Sequence, residues 1–127
     1  PGLHYALRDL AVMPGDEARD VARVARAVSN GYLGSHTTRI LFTENHDTAP
    51  ADRERRLPVA IVPSGAADGN FYALKRATLA AAVLLTSPGI PMLLAGQEVN
   101  ECGDYVWPQP PTFEPPPDGG DGGGGGV

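Results

Sequence analysis

Residues 70–95, NFYALKRATLAAAVLLTSPGIPMLLA, combine a helix, a break and a second apolar segment. Asn70 is a residue type that caps helices, and the second half of the stretch is apolar almost all round, which is typical of a helix packed on more than one side. Ser87-Pro88-Gly89 ends the helix, and the short apolar segment after it is compatible with a buried strand. The stretch therefore predicts a helix over 70–86 and a strand over 90–95.

Two segments upstream repeat these patterns. Residues 14–30 predict a second helix that stops at Asn30-Gly31, and residues 38–43, TRILFT, predict a strand. The apolar centre of this strand is continuous rather than alternating, which indicates cover on both faces, as in a parallel sheet. The apolar faces predicted from three- and four-residue spacing consist of Ala18, Val21, Ala25 and Val28 in the first helix, and of Phe71, Leu74, Thr78, Ala81, Ala82 and Leu85 in the second.

The order of these segments predicts a βαβ unit. The strand 38–43 leads through a long polar loop, 48–69, and the helix 70–86 to the strand 90–95, so the two strands should be parallel. Chemistry collects at the carboxyl ends of parallel strands. Polar residues follow both strands there, Asn-His-Asp at 45–47 and Gln-Glu at 97–98. We therefore expect these groups to meet at one edge of the sheet.

Composition narrows the function classes. The chain has 127 residues and a formal net charge of -5, which gives no electrostatic footprint for nucleic acid or an anionic membrane. Cys102 is the single cysteine, so neither an internal disulfide nor a cysteine-based metal site is expected. The most apolar stretch is broken by Pro88-Gly89, which disfavours a membrane span. A soluble protein is predicted, in cytoplasm or plastid rather than secreted.

The residues at 44–47 and 98 leave several functions open. Asp47 and Glu98 are candidates for a carboxylate pair working as acid and base on a glycosidic bond, with His46 and Asn45 binding sugar hydroxyls. A metal site from Glu44, His46 and Asp47 is disfavoured because strand geometry places these side chains on opposite sides. Asn45 and Asp47 are equally well explained as turn formers.

Two sequence motifs resemble those of a known protein family. RILFTENHDT and, downstream, SPGIPMLLAGQE are similar to the segments at the seventh and eighth barrel strands of glycoside hydrolase family 13, the α-amylase family. The intervening sequence resembles 1,4-α-glucan branching enzymes more than the compact animal amylases. The resemblance runs from about Tyr5 to Glu101. It implies an α/β fold, a partial (β/α)8 TIM barrel limited to the seventh and eighth strands with their helices.

The resemblance also implies roles for individual residues. Asp47 matches the third carboxylate of the family, which stabilises the transition state, and His46 and Asn45 match its sugar-binding neighbours. Glu98 falls on a supporting position together with Gly96 and Gln97, which argues against an Asp47/Glu98 acid–base pair. The family's nucleophile and acid/base lie on strands without a counterpart here, so this chain alone should be inactive.

The implied parent activity is α-1,4-glucan branching, a chain transfer in starch or glycogen metabolism. The alternatives are α-amylase-type hydrolysis and an inactive, glucan-binding or degenerate fragment. The implied partners are starch, glycogen and maltooligosaccharides, without nucleic acid or membrane. No metal or cofactor is implied for this chain, although some relatives bind calcium, largely through segments without a counterpart here. Residues 1–106 should form the barrel segment, and the Pro- and Gly-rich residues 107–127 a disordered tail.

Overall fold

The computed structural model describes residues 2–31, 33–62 and 70–106. The elements in chain order are α1 (Leu3–Val12), a 3₁₀ helix (Asp16–Ala18), α2 (Val21–Ser29), β1 (Ile40–Leu41), α3 (Leu57–Ile61), α4 (Phe71–Thr86), β2 (Ile90–Pro91) and a second 3₁₀ helix (Gln97–Val99). Helices account for 47% of the described residues, and the described part is therefore mostly helical. The predicted tail, 107–127, lies outside it.

The predicted partial (β/α)8 barrel is wrong. The described residues hold two strands of two residues each, paired with one another in a single two-stranded sheet. Two backbone hydrogen bonds hold the strands together: the N–H of Ile90 donates to Arg39 O (2.9 Å), and that of Met92 donates to Leu41 O (2.8 Å). Most of the contacts between elements of the described structure are made by helices packing on helices.

The predicted parallel pairing of the two strands is confirmed. Ile40 lies opposite Ile90 and Leu41 lies opposite Pro91, in parallel register. The connection between β1 and β2 contains α3 and α4, as expected for strands that must run in the same direction. The carboxyl ends of both strands therefore reach the same edge of the small sheet.

The helix 70–86 begins and ends where the sequence predicts. The side-chain oxygen of Asn70 accepts a hydrogen bond from the N–H of Ala73 (3.0 Å), so Asn70 is the N-cap.

The predicted helix 14–30 is instead divided into a 3₁₀ helix and α2. Asp20 interrupts it and caps α2 by accepting from the N–H of Arg23 (2.8 Å), because a short acidic side chain satisfies a free N–H better outside a helix than within one.

Arg39 joins the last turn of α2 to the start of the sheet. Its guanidinium donates to the carbonyls of Ala27 (2.7 Å), Val28 and Asn30, and its Nε donates to Pro88 O (3.3 Å). The carbonyls at a helix C-terminus lack partners within the helix, and a cation stabilises them. This arginine therefore fixes the position of β1 relative to α2.

The buried faces of α2 and α4 differ from the predicted ones. Val24 and Ala27 face inward in α2, whereas Val21 is 65% exposed. In α4 the predicted face is exposed at Phe71 and Leu85. Its buried residues are Ala73, Ala77, Ala80 and Leu84. The spacing of apolar residues predicted that both segments are helical. It did not predict which side of each helix is buried, since both helices carry apolar residues on more than one side.

Two adjoining clusters form the hydrophobic core. One lies between α1, α2, β1 and the end of α4, with the members Leu3, Ala6, Leu7, Val24, Ala27, Leu41 and Leu84. The other lies between α1, α3 and the first part of α4, with the members Ala11, Leu57, Ile61, Ala73, Ala77 and Ala80. Both depend on α1, which packs against α2, α3 and α4.

Sequence reasoning missed α1 and α3. The signal for α1 was present, because Leu3, Ala6, Leu7 and Leu10 recur at helical spacing. The helix α3 lies inside the segment predicted as a polar loop, 48–69; Pro58 is in its first turn, where proline is tolerated. Within the described ranges, no helix is both long and apolar enough to cross a membrane.

Candidate functional site at the strand ends

The chain reverses direction at Asn45, four residues after the end of β1. The side-chain oxygen of Asn45 accepts from the N–H groups of Asp47 (3.0 Å) and Thr48 (2.9 Å), and the N–H of Asn45 donates to Thr48 Oγ1 (3.0 Å). This is an Asx turn, the role that competed with substrate binding for this residue. The side-chain oxygen of Asn45 therefore takes part in the turn. The predicted contact between Asn45 and a sugar stays a prediction, and it would use the side-chain nitrogen.

His46 and Asp47 project from this turn into solvent. Their side chains are 69% and 76% exposed, and His46 Nε2 lies 3.4 Å from Asp47 Oδ1. An exposed pair at this separation interacts weakly, so both groups keep hydrogen-bonding capacity for a ligand. A carboxylate accepts hydrogen bonds, and an imidazole N–H donates one. Together they can bind neighbouring hydroxyl groups of a sugar.

Glu44, the residue before the turn, points the other way. Its side chain is 1% exposed, its Oε2 accepts the N–H of Leu57 (2.7 Å), and its Oε1 lies 3.4 Å from Nη1 of Arg56. Arg56 is 2% exposed and also donates from Nη2 to Ala95 O (2.9 Å). Among the described residues, no group of three or more histidine, cysteine, aspartate or glutamate side chains could hold a metal ion.

The segment after β2 contacts the end of β1 through Gln97, and no hydrogen bond of the described residues joins Glu98 to Asn45, His46 or Asp47. Gln97 donates from Nε2 to Thr43 Oγ1 and accepts with Oε1 from the N–H of Leu94 (3.3 Å). Glu98 accepts with Oε2 from the N–H of Gly96 (3.0 Å), within its own segment. Gly96 itself has φ +93°, which favours glycine, and an added Cβ would lie 3.2 Å from Arg56 Nη1.

A second group of charged side chains holds the far end of the loop to α1. Glu54 Oε2 lies 2.9 Å from His4 Nε2 and 3.1 Å from Arg8 Nε. Arg8 also donates from Nη2 to Arg55 O (2.9 Å), and the His4 ring packs against the Phe42 ring with centroids 4.8 Å apart. Sequence reasoning missed this group because it did not recognise α1. The loop 44–56 is therefore anchored to the core near both of its ends.

Burial sets the ionisation of two of these groups. Desolvation raises the pKa of Glu44 above its ordinary value, although the Leu57 N–H and Arg56 act in the opposite direction. Desolvation lowers the pKa of Arg8, partly offset by Glu54. Charged forms of both side chains are thus costly in the interior of this small structure.

We expect Glu44 to make the free energy of unfolding fall as pH rises. A carboxyl whose pKa is higher in the folded than in the unfolded state stabilises the fold fully below its unfolded pKa, and this contribution is lost as pH rises through the folded pKa. The excess stability of the wild type over Glu44→Gln should therefore be largest below the unfolded pKa of a glutamate, about 4.3, and should shrink as pH rises above it. Urea unfolding of both proteins at several pH values measures it. A difference that grew with pH would show that Arg56 outweighs desolvation.

Comparisons with protein-family models, curated proteins and solved structures found no match to this chain.

Proposed function

We propose that this chain supplies the sugar-binding pair Asp47 and His46 of an enzyme acting on α-1,4-glucans, a 1,4-α-glucan branching enzyme. The observation that carries the proposal is the exposed carboxylate and imidazole, side by side on a turn whose backbone is fixed by Asn45 and Thr48. In this role Asp47 accepts hydrogen bonds from sugar hydroxyls and places negative charge near the oxocarbenium-like centre. His46 donates to a hydroxyl at the same subsite.

The motif resemblance supports the choice of substrate. Asn45-His46-Asp47 and the Gly96-Gln97-Glu98 segment occur in the family's order, and Gln97 donates a hydrogen bond to Thr43, two residues before Asn45. In this proposal Glu98, Gln97 and Gly96 are supporting residues that shape the segment after β2. Asp47 has the same role in chain transfer and in hydrolysis, so its chemistry does not separate branching from α-amylase-type activity.

A second candidate is glucan binding without turnover. It is favoured by Glu98, whose carboxylate accepts from the N–H of Gly96 in its own segment and is thus already engaged. The nucleophile and acid/base of the family lie on segments that the resemblance does not match to this chain. We therefore expect the isolated polypeptide to bind glucan and to show no turnover of starch in reducing-sugar and iodine-staining assays.

Titration with maltoheptaose, followed by amide NMR spectra, tests the proposal. We expect saturable shifts that centre on His46 and Asp47 and are reduced in Asp47→Asn and His46→Ala. Asp52→Asn is the matched control, because Asp52 is an exposed aspartate in the same loop. His36→Ala is the control for His46, because His36 is exposed in a different loop. Shifts that ignored Asp47→Asn, or an absence of binding by the wild type, would contradict the proposal.

A further inference from the structure

We infer that the buried pair Glu44–Arg56 positions the loop that carries His46 and Asp47 and couples it to the segment after β2. Both side chains are charged and nearly inaccessible, with 1% and 2% exposure. The inference rests on the proposed function only for the role of the loop in sugar binding. The coupling itself follows from the contacts of Glu44 and Arg56.

The two residues close the base of the loop. Glu44 stands directly before the Asx turn, and Arg56 follows twelve positions later. One oxygen of Glu44 contacts Arg56 Nη1 (3.4 Å), and the other accepts the N–H of Leu57 (2.7 Å). Both ends of the loop are therefore held by one carboxylate, and the exposed residues 46–47 lie between them.

Arg56 extends the same connection to the second strand. Its Nη2 donates to Ala95 O (2.9 Å), and a Cβ added at Gly96 would lie 3.2 Å from its Nη1 and 3.0 Å from Cβ of Glu101. The guanidinium thus bridges the loop after β1 and the segment after β2, in addition to the Gln97–Thr43 contact. A planar guanidinium can bind two acceptors at a fixed angle, which an ammonium group does less well.

Energetics argue that this pair serves geometry more than stability. Removing two charges from water is costly, and apolar residues of similar volume often stabilise a fold as much or more. Arg56 Nε is buried and has no hydrogen-bond partner among the described residues, a further cost. A buried ion pair tolerates few alternative arrangements, because each change leaves a charge without its partner.

The backbone conformation of the residue before Arg56 also supports a positioning role for the pair. Arg55 has φ +64°, a left-handed conformation that is unfavourable for a residue with a side chain. Such a conformation persists where the surroundings determine it strongly. Here Arg8 binds the carbonyl of Arg55, and the side chain of the next residue is fixed by Glu44 and Ala95.

Hydrogen exchange of the backbone amides tests the inference on the full chain. Arg56→Met and Glu44→Gln should speed exchange in residues 45–55 and 94–98 by about tenfold or more, with smaller changes in α2. Arg53→Met is the matched control, because Arg53 is a 68% exposed arginine of the same loop. Val24→Ala, in the core between α1 and α2, shows what a general loss of stability does to the same amides.

The outcomes separate the positioning role from a merely structural one. The inference is overturned if all amides of Arg56→Met exchange uniformly faster, as those of Val24→Ala should. It is also overturned if the loop amides exchange at the wild-type rate in both Arg56→Met and Glu44→Gln. Where Arg56→Met does not fold, the shape-conserving Glu44→Gln decides between these results. Maltoheptaose affinity should also fall in Glu44→Gln but not in Val24→Ala. Faster loop exchange in Arg56→Met and Glu44→Gln, combined with a wild-type chain that binds no maltoheptaose, would retain the coupling and reject the proposed function.

Discussion

If the proposed function is right, Asp47→Asn is expected to lower kcat of the proposed glucan-active enzyme by about 10²–10³. The substitution keeps the shape of the side chain but removes its negative charge, and with it an interaction that is stronger in the transition state than in the ground state. The loss of one well-placed electrostatic contact typically costs about 3–4 kcal/mol of barrier. Steady-state kinetics on amylose, with iodine staining for branching, measure the effect.

The melting temperature should change little in Asp47→Asn, because the Asp47 side chain is 76% exposed. Asp52→Asn, in the same loop, should leave kcat close to that of the wild type. His46→Ala should give a smaller loss than Asp47→Asn. If Glu98→Gln abolished activity at unchanged stability while Asp47→Asn retained kcat, the roles of the two carboxylates would be reversed and the α-amylase-family interpretation would have to be abandoned.

Leu84→Ala should have the largest effect on stability among substitutions of apolar residues. Leu84 is fully buried, at the point where α4 meets α1, α2 and β1. Truncating a buried leucine to alanine costs about 2–5 kcal/mol, since the transfer free energy is lost and a cavity remains. Small domains are stable by about 5–15 kcal/mol, so this single change removes a large part of the total. Urea unfolding followed by far-UV circular dichroism measures it.

The neighbouring residue provides the control for this prediction. Leu85 is 54% exposed on a different side of the same helix, and Leu85→Ala should change the free energy of unfolding by less than about 1 kcal/mol. Equal losses in the two variants would mean that the exposed side of α4 is covered in solution. A small loss in Leu84→Ala would show that the packing between α4 and α1 is not the centre of the core.

The amino-acid sequence by itself determined the local features of this protein. It located α4 between Asn70 and Ser87-Pro88-Gly89, because caps and helix breakers act within a few residues of their own position. It also predicted that the two strands are parallel, since a long helical connection returns the chain in the same direction. The Asx turn at Asn45 belongs to this class, because the side chain satisfies backbone groups two and three residues away.

Tertiary structure decided which faces are buried and how far the sheet extends. The sequence of α4 is apolar on several sides, so packing against α1 and α3 selects Ala73, Ala77, Ala80 and Leu84 rather than the face of Phe71 and Leu85. The resemblance led to a barrel, whereas the described chain builds two strands of two residues and buries its apolar residues between helices. Strand length depends on neighbouring strands, which sequence pattern does not supply.

The connection beneath the candidate site also depends on tertiary structure. Arg56 belongs to the charged run DRERR, which in sequence is typical of a solvated loop, and Glu44 precedes a turn without any sign that it is buried. They meet because the loop between them closes and because Ala95, almost forty residues further along the chain, brings a carbonyl to the same guanidinium. The sequence thus determined which chemical groups follow the strands, and the fold decided which are exposed and which are held in the interior.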